Sequence, residues 1–300
     1  MKLGRNAGNL AAALGISAVL TAGYSWLEVL LGWCVGAVLC WCAGMPWKWR
    51  RSKPVHWIQM LMGVLLIAGA AQAAEQAFPQ DSTFPFVSLC MLLLLWYGIS
   101  GADAGRAASN AMGMLVLPLM ALIVAFGGIS AQWTELTPSE FSVAHVGIAA
   151  LISLLMTKGR DGKAWGWFIG AGILAVGMSV VTQGALGQTL VQTEKAPLFR
   201  AVQTIRIFGK VQRIEAVLAA GTLIGTFSAM LIGGEILKTG MGKSRNKWTF
   251  LLPIVVALGL ESVYRSVGEK AQSVMAAVFW GILAVYALGI VILEKNEKTS

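Results

Sequence analysis

The chain has 300 residues, of which 57% are hydrophobic and 12% charged. That balance, with a mean hydropathy of +0.71, excludes an ordinary soluble domain. The formal net charge of +9 points to basic loops that orient membrane spans rather than to nucleic acid.

Ten candidate spans follow one another, at 7–23, 26–45, 55–74, 85–102, 110–129, 142–157, 164–186, 214–237, 248–264 and 272–293. Most reach the roughly 17–25 apolar residues that a bilayer core demands. The first offers at most 17 helical residues. At ~1.5 Å per residue that is about 26 Å, short of a ~30 Å core. Leu14-Gly15-Ile16-Ser17 is therefore a candidate break, or alternatively Gly15 lets two helices pack closely. The basic start and short apolar stretch also have the pattern of a signal peptide, which would end after Ala22.

The sixth span is similarly short and contains His145 and Gly147. Interrupted helices at corresponding places in two halves point to a transporter-like ligand site. Gly15, Ile16, Ser17, His145 and Gly147 are the ligand-binding candidates, with Ser153 as a weaker one. Free backbone groups at half-helix ends can hold a small zwitterion without a charged side chain. Histidine also suits a proton switch, with an ordinary pKa near ~6.5, although a hydrogen-bonded histidine near the span's outer end is the plainer reading.

The seventh span runs out in the glycine-rich "QGALGQ". After it comes "APLFRAVQTIRIFGKVQRIEAV", in which Val202, Ile205 and Phe208 form an apolar stripe. Arg206, Lys210 and Arg213 form a basic face beside it. This predicts an amphipathic helix lying on the membrane surface over 196–213. Arg213 and Glu215 are two apart and cannot face each other on a helix, so each needs a different partner.

With the N-terminus in the cytoplasm, sixteen basic residues fall inside and two outside, apart from the 187–215 loop. That asymmetry predicts cytoplasmic termini and an outer position for the loop. Gly101, Asp103 and Arg106 form a candidate cytoplasmic motif. No span carries an acidic residue near its centre, with Glu28, Glu215 and Glu261 near outer ends and Glu235 near an inner one. That argues against a carboxylate-relay pump.

The four cysteines, Cys34, Cys40, Cys42 and Cys90, lie in apolar runs and read as packing residues. His56 and His145 are too far apart to make a metal site. With no phosphate-cradling loop or nucleophile–base pair either, the sequence predicts no enzyme and no cofactor.

Residues Pro197, Ile205, Gly209, Arg213, Ile214 and Glu215, with "GISGADAGRAASNAM" and "YSWLEVLLGWCVGAVL", carry a resemblance. The chain resembles the spore germination permease family (GerAB-type) of the amino-acid/polyamine/organocation superfamily. The resemblance implies an all-α membrane protein of ten helices in a five-plus-five inverted repeat (LeuT-like). The halves would be 1–141 and 142–300, with the ligand site between broken first and sixth spans. Two departures stand out: the first span lacks the following proline, and the sixth carries no carboxylate.

The function expected is that of a germinant receptor subunit in the spore inner membrane, sensing a small nutrient such as an amino acid. Arg206, Lys210, Arg213 and Glu215 would serve partner subunits or gating. The alternatives are a secondary transporter of amino acids or other organic solutes and a degenerate scaffold without ligand.

Overall fold

The computed structural model describes residues 7–43, 60, 63–64, 66–71, 73–75, 92, 95, 104–130, 133, 136, 141–154, 162–194, 197–204, 206–207, 210–211, 214–241 and 251–266. These are almost all helical. In chain order they form α1 (Ala7–Leu20), α2 (Trp26–Ala43), α3 (Ala104–Ser130), α4 (Val143–Leu154), α5 (Gly162–Thr193), α6 (Pro197–Thr204), α7 (Ile214–Met241) and α8 (Leu251–Ser266). Further helical positions lie between 60 and 75. The only sheet among the described residues is a short antiparallel ladder of β1 (Arg206–Ile207) and β2 (Lys210–Val211).

Three stretches, Asn110–Ile129, Trp165–Gly187 and Ala216–Glu235, are long and apolar enough to cross a membrane. Their apolar residues occupy both the inner and the outer faces. On α3, Val116, Met120 and Ile123 are buried while Met114, Leu115, Leu122 and Ile129 are exposed. On α8, Ile254 is buried while Leu251, Leu252, Val255, Val256 and Val263 are exposed. Helices apolar all round need either a protein interior or lipid around them, and exposed stripes of this size carry a steep cost in water. A lipid environment removes that cost, and a helix satisfies its backbone hydrogen bonds within itself there.

The helices meet through glycines. A Cβ on Gly15 would come within 2.6 Å of the Gly225 Cα, and one on Gly225 within 2.5 Å of the Ala11 carbonyl oxygen. α1 and α7 are therefore in backbone contact. Gly32 and Gly36 press α2 against Ala149 and Ser153 of α4, and Gly63 faces Gly233 and Leu237 of α7. Small residues of this kind let helices approach closely where no hydrophobic effect drives them together.

The contacts also fix helix directions. Along α2 the pairs Glu28–Ser142, Gly32–Ala149 and Gly36–Ser153 rise together with α4, so these helices are parallel. The pairs Val124–Gly177 and Gly127–Val181 make α3 and α5 parallel. Gly8 at the start of α1 donates to Asn110 near the start of α3, and Tyr24 just past its end meets Ser179 and Gln183 of α5. α1 thus runs with α3 and α5. α7 runs against α3, since Met112 meets Ser228 and Met120 meets Gly221. α2 runs against α5, with Trp33 against Phe168 and Gly172.

Several expectations need correction. α1 and α4 are continuous helices through Gly15 and Gly147, so neither is broken there. At Gly15 the reason is the tight α1–α7 contact, the alternative use of that glycine. Among the described residues of the segment 196–213, only Pro197–Thr204 are helical. Arg206 and Lys210 lie in the ladder instead, where Arg206 pairs with Val211 and Ile207 with Lys210. The β-branched Ile207 and Val211 favour extended backbone. Cys34 is exposed on α2, not packed inside. Most of the expected spans at 85–102 and all of that at 272–293 lie outside the described residues.

Candidate functional site

Where α1 gives way to α2, two backbone N–H groups and one imidazole nitrogen converge on one carboxylate. Glu28 is 2% exposed. Its Oε2 accepts from the Ser25 backbone N–H at 3.0 Å, and its Oε1 from the Ser142 backbone N–H at 2.5 Å. His145 Nδ1 lies 3.0 Å from Oε2, with the imidazole 40% exposed. The first bond belongs to helix start chemistry: Ser25 precedes α2 and Glu28 is its third residue, reaching back to the N-cap as in a capping box. The second bond partners a backbone N–H at the start of α4 that has no intrahelical acceptor. One side chain therefore caps two parallel helices.

The His145 ring stacks on Tyr24, centroids 3.9 Å apart and planes inclined by 8°. The Tyr24 carbonyl accepts from the Ser179 hydroxyl and, at 3.2 Å, from Gln183 Nε2, which ties the corner to α5. Trp26 Nε1 donates to the Leu136 carbonyl at 3.0 Å, bringing in the segment ahead of α4. The cluster joins the α1–α2 corner, α2, α4 and α5. It holds no group of three His, Cys, Asp or Glu side chains suited to a metal among the described residues. Its chemistry is that of a clasp: a buried carboxylate, a partly exposed imidazole, and hydrogen bonds that end helices.

Above the same corner sits α6. It buries Pro197, Leu198, Phe199, Ala201 and Val202 and exposes Arg200, whose Nη1 donates to Gln203 Oε1 at 3.2 Å. A Cβ on Gly23 would lie 2.9 Å from the Pro197 ring, so α6 begins directly over the end of α1. The chain reaches it after a kink at Gly187 (φ 72°, ψ 161°), a conformation essentially reserved for glycine.

The residues singled out in the sequence fall in several places. Gly15, Ile16 and Ser17 are buried in α1. Ser17 Oγ has no hydrogen-bond partner, so no bond joins it to His145. Gly147 is exposed, with open space where a side chain would go. Ser153 bonds back to the Ala150 carbonyl at 2.6 Å. Arg106 lies in the first turn of α3 and Glu215 in that of α7, while Gly101, Asp103 and Arg213 are outside the described residues. The sequence reading missed Glu28 as a centre. Its signal was "SWLE" at 25–28, a serine three residues ahead of a glutamate at the start of an apolar run.

No protein-family model matches the chain, and no curated protein matches it.

Proposed function

We infer that the chain is an integral, ten-span membrane subunit of a spore germinant receptor, sensing a small nutrient such as an amino acid through a transporter-like fold. In this reading both termini are cytoplasmic, other receptor subunits are its partners, and the spore inner membrane is its place. The support comes from helix pairing. In a five-plus-five inverted repeat, the contact between spans two and six is the counterpart of that between spans seven and one. α2 packs parallel on α4, and α1 runs parallel to α5 and packs on it. Exchange of the halves requires those two parallel pairs.

A ligand moves such a bundle only by binding its two states with different affinity. The buried hydroxyls of Ser17 and Thr222, which lack partners, are available to polar atoms in a rearranged state. The second reading is a scaffold subunit without ligand. It is favoured by the closed α1–α7 contact at Gly15 and by the unbroken α4.

The deciding experiment is dipicolinic acid release from spores of a deletion strain across a nutrient panel. Loss of response to one nutrient class, restored by the gene, supports the receptor. A full response to every nutrient sinks it. Solute uptake into proteoliposomes would then test transport.

A further inference from the structure

We propose that Ile129, Trp133, Phe141 and Val143 form a lipid-interface anchor, which seats this end of the bundle where acyl chains meet headgroups. All four side chains are exposed, Trp133 by 66% and Phe141 by 58%. They lie where one helix stops and the next starts. α3 ends at Ser130, directly after the apolar stretch Asn110–Ile129, and α4 begins at Val143. Leu115, Leu122 and Ile129 recur at heptad spacing on one face of α3, and all three are exposed. The patch therefore continues the lipid-facing surface of that helix. Hydrogen bonds hold the chain in place between the two aromatic rings. The Leu136 N–H donates to the Trp133 carbonyl at 3.4 Å, and the Leu136 carbonyl accepts from Trp26 Nε1 at 3.0 Å. Beside Phe141, the Ser142 N–H is fixed on Glu28.

Residue type and charge select the occupant. Tryptophan collects at membrane boundaries because its ring has an apolar body and a polar N–H that seeks water or headgroups. An anchor that worked by charge would need basic residues. Glu135 and Glu140, which lie outside the described residues, are the charged positions between Trp133 and Phe141 in the sequence, and both are acidic. α6, the element expected to lie on the membrane surface, spends its apolar side on the end of α1 instead. That leaves the interfacial role at this end to the patch. The proposal rests on the membrane environment and is independent of the germinant-receptor reading.

The test uses the full chain in lipid nanodiscs, labelled with fluorotryptophan. The chain has 12 tryptophans, and the fluorine NMR signal lost in Trp133→Phe is that of Trp133. Three relaxation agents read its surroundings: a lipid with a nitroxide high on the acyl chain, a lipid with one near the chain terminus, and a gadolinium chelate in water. The Trp133 signal should be lost with the first and survive the other two. Phe141→Trp, made together with Trp133→Phe, moves the reporter and should give a new signal with the same behaviour. Both results should be the same in zwitterionic and anionic lipid, at low and at high salt. Loss to the aqueous chelate would place the ring in water. Survival with all three agents would place protein against it, from this chain or a second copy. A dependence on anionic lipid would make charge the anchor. Each of these outcomes overturns the proposal. Should the double variant fail to fold, the Trp133 signal of the wild-type chain decides alone, with Trp133→Tyr as a second means of assigning it.

Discussion

Gly15 and Gly147 look alike in the sequence, each a small residue inside a short apolar span, yet the structure separates them. Gly15 faces the Gly225 backbone at a distance no side chain tolerates, while Gly147 faces open space. Gly15→Val should therefore push α1 off α7 at a cost of about 1–3 kcal/mol. Gly147→Ala should be neutral, or stabilising by about 0.5–1 kcal/mol through helix propensity. Thermal unfolding of the two purified variants checks the contrast. Glu28 permits a similar argument. Glu28→Ala strands two backbone N–H groups, each costing about 1–3 kcal/mol when left without a partner. His145→Ala removes one side-chain partner and strands no backbone N–H group, so its loss of stability should be the smaller. A larger loss for His145→Ala would contradict the capping role given to Glu28. Arg213→Ala should impair nutrient response or assembly while leaving membrane insertion intact, as read from receptor pull-down and membrane fractionation. Normal assembly and response would remove the partner role of that residue.

α6 is the element whose behaviour is easiest to isolate. Its five buried residues lie over the end of α1, and its charged residue Arg200 faces outward. Leu198→Asp should lift it from the bundle and open residues 187–213 to limited proteolysis, whereas Arg200→Ala should leave the digestion pattern unchanged. The kink that delivers α6 depends on Gly187. Alanine there must hold a backbone conformation that costs on the order of 1–3 kcal/mol, so Gly187→Ala should loosen the same segment without altering its apolar face. Equal protease resistance in wild type and Gly187→Ala would show that the kink does not position α6. The ladder after α6 was not foreseen because the apolar positions Val202, Ile205 and Phe208 also fit a helical period. Spacing cannot weigh that period against the preference of the β-branched Ile207 and Val211 for extended backbone.

For the molecule as a whole, the outer surface decides the environment. Ile173 is 65% exposed in the middle of the apolar stretch Trp165–Gly187. In water, Ile173→Lys would improve solubility at little cost. In a bilayer a lysine near the centre of a span costs about 2.5–3.5 kcal/mol, so the variant should insert poorly and be lost from the membrane fraction. Composition and hydropathy alone determined that the chain is helical and built for lipid, because apolar runs of spanning length allow no other way to satisfy the backbone. They ended the seventh span in the glycine-rich "QGALGQ", but only the structure shows the helix going on to Thr193 across a kink at Gly187. Tertiary structure decided what each small or polar residue is for. Gly15 became a helix contact and Glu28 a shared cap because partners at Gly225, Ser142 and His145, over a hundred residues away in the chain, came to lie beside them. A local pattern states which conformations a segment can adopt. Which distant backbone fills the space beside it is settled only when the helices pack.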